Sequence, residues 1–249
     1  MIALISPAKG MQSKIVTAES VTTPRFMEHT KAIVSQMQSY SAAELEAIFK
    51  ISPALARELR SRFWEFTDEG RVSAVDSYDG VVYKHFKDSI TSKNTSYLQD
   101  HLRISSLLYG ILRPLDRIVP YRMEGFVRLI ESDEKVEKFW RDIQTQTLID
   151  DVNEAGGVLL YLASKEEQKA FNWAQVKRAV RVIDFQFLQY KGDKLRQVVI
   201  YTKMARGEMI RYMLERNITN PEALKSFEWE GYRYNDALST DNVWAWVME

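Results

Sequence analysis

A chain of 249 residues, 45% hydrophobic and 12% aromatic, has ample material for a packed core, as one large domain or two small ones. Its 34 basic and 34 acidic residues cancel, so it is neither a polybasic nucleic-acid coat nor an acidic tail, and any anion site must be local. The absence of cysteine excludes disulfides, thiolate nucleophiles, thiol-based peroxide reduction and Cys-ligated zinc or iron–sulfur clusters.

The opening "MIALISPAKG" has no basic leader, and its apolar run is too short for a signal-peptide core. With no apolar run near 18 residues elsewhere, the expectation is a soluble, cytoplasmic protein without a membrane partner. "IALIS" reads as a buried strand stopped by Pro7, running into a loop that displays Ser6 and Lys9. Gln12 to Thr23 is polar and irregular. From Pro24 to Phe66 the pattern is helical with two breaks. At one, Ser41 is an N-cap with Glu44 at the capping-box position; at the other, Ser52 caps and Pro53 takes the first helical position. The two helices joined by "FKIS", about residues 41–66, have a helix-hairpin-helix shape. Lys50 and Ser52 stand where DNA-binding versions usually carry glycines, so a plain helical hairpin and a phosphate clamp are both open.

Asp79-Gly80 signals a turn, and "VVYKHF" a strand or helix start. A helix is predicted from about Tyr97 to Leu112, stopping because Arg113 precedes a proline. Another runs from Lys135 to Val152. Residues 158–164, 179–187 and 195–203 read as strands, with a hairpin at "LQYKGDK". "KMARGEMIRYMLERN" is a helix closed by Asn217, "PEALKSF" a short one capped by Asn220, and "WEGYRYN" with "VWAWVM" a final strand pair. The expected fold is α+β (mixed α/β), a single compact domain over residues 1–249, with the helix-hairpin-helix-like element in the first half and a mixed sheet in the second.

The three histidines, His29, His85 and His101, lack paired metal spacing, so no metal, direct iron binding or cofactor is expected. No serine sits in a G-x-S-x-G elbow, and neither G-x-G-x-x-G nor a P-loop occurs among ten glycines. Cations at element boundaries remain: Lys9 after the first strand, Arg113 and Arg122 at proline corners, and Lys203 and Arg206 where a strand is predicted to meet a helix. Such junctions are where an α/β sheet presents a ligand site. Alternatively Arg113 pairs with Asp116 and Arg122 with Glu124 as internal braces. Residues 165–211 carry eleven Lys or Arg against five acids, a candidate partner surface.

"ISPAK" (5–9), "LRISSLLYGILRPLDRIVPYRME" (102–124), "FW" (139–140), "LAS" (162–164), "YTKMARGEMIRY" (201–212) and "EGYRYN" (230–235) stand in the order and spacing of a known family. Along almost its full length the chain resembles the YaaA family of bacterial peroxide-stress resistance proteins. The resemblance implies a cytoplasmic protein that helps cells survive hydrogen peroxide and keeps unincorporated iron low, with a basic cleft able to bind DNA. Carried over by position, Lys9, Arg103, Tyr109, Arg113, Asp116, Tyr121, Arg122, Glu124, Lys203, Arg206 and Arg211 would line that cleft. The chain departs from the family pattern at Leu107, Gly125, Tyr161 and Glu167.

The leading expectation is therefore a DNA-binding stress protein, a monomer in the simplest case, with Lys50 and Ser52 as a second phosphate contact. A rival is an enzyme acting on a nucleobase or phosphorylated small molecule, with Lys9 as amine nucleophile or base and Asp116 or Glu124 as the acid–base carboxylate. A third is an interaction protein that lowers free iron through a partner.

Overall fold

A computed structural model describes residues 1–12 and 21–248. Most of the predicted irregular stretch from Gln12 to Thr23 lies outside the described residues. Seven strands form the main sheet: β1 (Ile2–Ile5), β2 (Leu102–Ile104), β3 (Val158–Tyr161), β4 (Arg181–Lys191), β5 (Lys194–Arg196), β6 (Tyr232–Tyr234) and β7 (Val243–Met248). Their order is β6-β7-β4-β3-β1-β2, with β5 folding back on β4 as a hairpin. Five neighbours, β2, β1, β3, β4 and β7, run parallel; β5 and β6 are antiparallel. Because β1 sits between β2 and β3, the chain builds outward from it in both directions, and the β1/β3 seam is the topological switch point.

The apolar runs explain the burial. Ile2 to Ile5, Leu159 and Leu160 are fully buried, as parallel strands covered on both faces require. Six helices matter for the site: α1 (Met27–Ser39), α2 (Ala42–Phe49), α3 (Pro53–Trp64), α4 (Val136–Glu154), α5 (Trp173–Ala179) and α6 (Val199–Arg216). Ser41 and Glu44 form the complete capping box, and Ser52 Oγ accepts from Leu55 N at 3.4 Å. Lys50 turns the hairpin in the left-handed region at φ 53°.

Two predicted elements are corrected. The helix entering the long arginine-proline segment spans only Thr95–His101; Leu102 is already extended and begins β2, and Leu112 bridges Ile104. The leucine spacing marks burial, and a short buried run does not by itself tell helix from strand. Likewise the strand at 195–203 ends at Arg196, and Val199 opens α6. Its β-branched residues point to strand, yet Thr202, Ala205, Met209 and Met213 supply a buried helical face, and packing overrides propensity. The sheet also draws β1 and β2 from the first half of the chain.

Gly207, in "ARGEM", is a packing glycine. A Cβ there would lie 2.4 Å from Val82 O and 2.6 Å from His85 Cβ, where α6 crosses the turn Val81–Lys84. Gly207→Ala should cost about 1–3 kcal/mol in urea unfolding by overpacking; an unchanged midpoint would contradict this close approach.

Candidate functional site: a groove over the sheet switch point

The carboxyl ends of β1, β2 and β3 converge on a cluster of hydroxyls. Ser6 follows β1, Ser105 and Ser106 follow β2, and Ser164 lies three residues beyond β3. Ser164 N donates to Ser6 Oγ at 2.8 Å, tying the two loops across the switch point. Tyr83 OH donates to the Ser6 carbonyl at 2.9 Å, and Tyr121 OH bonds Tyr78 OH at 2.8 Å and Ser106 Oγ at 2.7 Å.

Glu167 projects into this cluster from the 3-10 turn Lys165–Ala170. Burial raises its pKa above the ordinary carboxylate value, while the nearby Ser105, Ser6 and Ser164 partly oppose the shift. Ser105 Oγ is nonetheless buried without a complete hydrogen bond. Among the described residues no cation pairs with Glu167. Burial also pushes the Tyr121 hydroxyl up to about 12, and Tyr83 and Tyr161 are raised too.

A raised acid favours the folded state below its unfolded pKa, and that contribution is lost as pH rises through the folded pKa. Glu167→Gln, which cannot ionise, should therefore gain stability relative to the parent as pH rises from 4 to 8 in parallel urea melts. A difference that stays flat with pH would contradict the assignment.

Three hollows follow one another through shared lining residues, the third lying beside the first residues of β4 and β7. The first, about 440 Å³, lies between the Pro7–Lys9 loop, the segment 121–126 and the turn that carries Glu167. The second, about 520 Å³, shares Lys135, Glu137 and Lys169 with it and adds Lys138, Arg141 and Lys165. The third, about 360 Å³, shares Gln168 and Trp173 with the second and adds Tyr161, Lys177, Arg181 and Asp184. Taken as one face, called the groove below, their linings carry nine lysines and arginines against five carboxylates. Burial raises the pKa of Asp184, against the pull of Arg206, Lys165 and Lys177.

Of the residues expected in a cleft, Lys9, Tyr121, Arg122 and Glu124 do meet in the first hollow. Glu124 Oε1 accepts from Lys9 Nζ at 3.0 Å and from Arg122 Nη2 at 2.8 Å, so Arg122 is braced as well as positioned at the hollow. Lys50 lies over the ring of Phe126 on the rim, and Ser52 is occupied as an N-cap. The others sit elsewhere. Arg113 binds Asp116 and the Thr23 carbonyl, Asp116 being fully buried and also accepting from Thr22 Oγ1. Arg103 is tied to Asp151, and Tyr109 OH accepts from Val119 N.

Lys203 and Arg206 lie inside α6 rather than at a strand-helix junction. Lys203 is exposed and lines none of the three hollows. Arg206 is mostly buried near Asp184 and Tyr161, with Nε unpartnered; burial lowers its pKa and those two groups oppose the shift. Arg211 pairs with Asp88 and Glu215. Arg117, between the two proline corners, is exposed.

Ser6, Ser105, Ser106 and Ser164 stand in the quoted family motifs but do not read as one cluster, and Glu167 and the cations of α4 lie outside those motifs. The signal for Lys135, Lys138 and Arg141 was their i, i+3 spacing at the start of a helix, which places them on one face. Among the described residues no three His, Asp or Glu side chains gather as a metal site, and no helix is long and apolar enough to cross a membrane.

Comparison with known proteins is consistent over the whole chain. The family model described as peroxide stress protein YaaA matches residues 1–238. A UPF0246 protein of Parabacteroides distasonis is 41% identical over 254 residues, covering all of both chains. One from Bacteroides fragilis is 42% identical, covering 99% of this chain and 98% of its own, and one from Neisseria gonorrhoeae is 34% identical with the same coverage.

Proposed function

Because the chain belongs to the peroxide stress protein YaaA family, we propose that it serves the response to hydrogen peroxide by binding DNA along the groove over the sheet switch point. The observation that carries this reading is the charge of the groove: nine cations against five carboxylates in a chain of zero net charge. A local excess of this kind favours a polyanion, and phosphate contacts supply affinity without reading sequence. The hairpin of α2 and α3 supports a further contact, since Lys50 stands at the groove rim over Phe126 and α3 begins directly after its cap, Ser52. Bound protein would shield the strand from iron-driven oxidation in the cytoplasm, with no iron held by the protein itself.

Fluorescence anisotropy with a labelled duplex from 50 to 300 mM salt tests the reading. Affinity should fall with a log–log slope of about −0.9 per phosphate contact; no measurable binding at 50 mM refutes it. Glu124→Gln releases both Lys9 and Arg122 from their shared carboxylate, and should tighten duplex binding by about two- to fivefold, the range of a partly exposed ion pair. Lys9 has a 72% exposed side chain and lacks the desolvated pocket that activates an amine nucleophile, so the geometry favours a phosphate contact over covalent chemistry there.

A further inference from the structure

The first hollow holds more than a phosphate track needs. Its lining includes Glu167, a half-buried carboxyl with no cation partner among the described residues, set among Ser6, Ser105 and Ser164 beyond the ends of three adjacent strands. Its mouth carries Phe126, 43% exposed, with Lys50 over the ring. Lys9 and Arg122 line the same hollow, joined through one oxygen of Glu124. The volume, about 440 Å³, lies within the roughly 300–1,000 Å³ of small-molecule sites. An exposed ring, two cations and a half-buried acid match the three parts of a nucleotide: a face that stacks, a phosphate, and a base edge with hydrogen-bond acceptors.

We propose that this hollow binds a single unpaired nucleotide, free or within a strand. The base stacks on Phe126, the phosphate takes the place of the Glu124 carboxylate between Lys9 and Arg122, and the Glu167 carboxyl donates a hydrogen bond to the base edge. This goes beyond the groove reading, because backbone contacts along the second and third hollows require neither Phe126 nor Glu167. A cation-free acid at the switch point is costly to keep for stability alone, and a neutral carboxyl is a donor that a carboxylate is not.

The test is calorimetric titration of the full chain with UMP, ribose 5-phosphate and inorganic phosphate, at pH 5.5 and 7.5, in the parent, Phe126→Ala and Glu167→Gln. UMP should bind at least about tenfold more tightly than ribose 5-phosphate, the size of one stacked base, and Phe126→Ala should cut that difference severalfold. An ionised Glu167 has no donor and opposes the phosphate, and burial raises its pKa, so with rising pH the parent should weaken more than Glu167→Gln, whose amide remains a donor. Tyr83, Tyr121 and Tyr161 face Glu167 but are raised by burial and stay neutral across this range. Glu166 on the same turn, Lys9, Arg122, Glu124, Lys135, Glu137 and Lys169 around the hollow, and the probe's own phosphate are common to both proteins, so the comparison cancels them.

UMP binding no tighter than inorganic phosphate, a Phe126→Ala variant with parental preference, or equal pH responses in parent and Glu167→Gln would each overturn the proposal. A duplex with one bulged thymidine, compared with its fully paired counterpart, assigns the source: tighter binding to the bulge places the nucleotide in a strand, and equal binding with UMP retained makes it the free molecule. Duplex binding without UMP binding removes this site and leaves the groove; UMP binding without duplex binding does the reverse.

Discussion

Asp151→Ala is expected to lower the unfolding free energy by about 3–5 kcal/mol, the cost of stranding the buried guanidinium of Arg103. Asp151 Oδ2 accepts from Arg103 Nε at 2.6 Å and from Arg25 Nη1 at 2.8 Å, while Oδ1 accepts from Arg25 Nη2 at 2.9 Å. The side chains of Arg103 and Asp151 are each only 8% exposed, so solvent cannot replace what the carboxylate supplies. The triad joins β2, α4 and the segment before α1, and its loss should loosen all three together. In a chain of this size the melting temperature should fall by about 2–4 °C per kcal/mol. Burial alone would raise the Asp151 pKa, but the bonds from Arg25 and Arg103 hold it below the ordinary value. Its contribution is therefore present above the unfolded carboxylate pKa and lost as acid brings the pH down through the folded pKa. The parent should show this acid-side loss and the variant should not. A cost under about 1 kcal/mol would show that the arginines find other partners.

The second large effect concerns the groove. Replacing Lys138, Arg141, Lys165 and Lys169 together by alanine should flatten the salt dependence of duplex binding by about three units of log–log slope, close to one for each phosphate no longer held. The four side chains line the second hollow. Lys138 and Lys169 have partial partners in Glu134 and Glu137, so less than the full four is expected. Lys203→Ala is the matched control: an exposed cation on α6, off the groove, whose removal should leave the slope in place. Equal slopes for the parent and the fourfold variant would reject phosphate binding at this face, whatever the affinity.

Capping chemistry was legible in sequence because it is local: Ser41 with Glu44, Ser52 with Pro53, and Asn217 each act within a few residues. The long arginine-proline segment was legible as special but not as to role. Its leucines signal burial whether they lie on a helix or in β2, and only the pairing of Leu102–Ile104 with β1, a hundred residues away, decides between them. The same distance hides the partners of the arginines. Arg113 with Asp116 was open to view as an i, i+3 brace, whereas Arg103 with Asp151 was not. Glu167 stood out only as a departure from the family pattern; its place above the switch point depends on where β1, β2 and β3 end, which is a property of the assembled sheet.

The order of the sheet also governs when the protein can form. Ile2–Ile5 is made first but sits between strands that begin at Leu102 and Val158, so a ribosome must deliver some 160 residues before the seam beneath the serine cluster can close. At roughly 5–20 residues per second, an all-apolar strand waits about five to twenty seconds for its first neighbour and about ten to thirty for its second. Pairings so distant in sequence also slow the search once the chain is free. A chain that ends before β3 leaves one edge of β1 uncovered, and the groove is among the last parts of the molecule to exist.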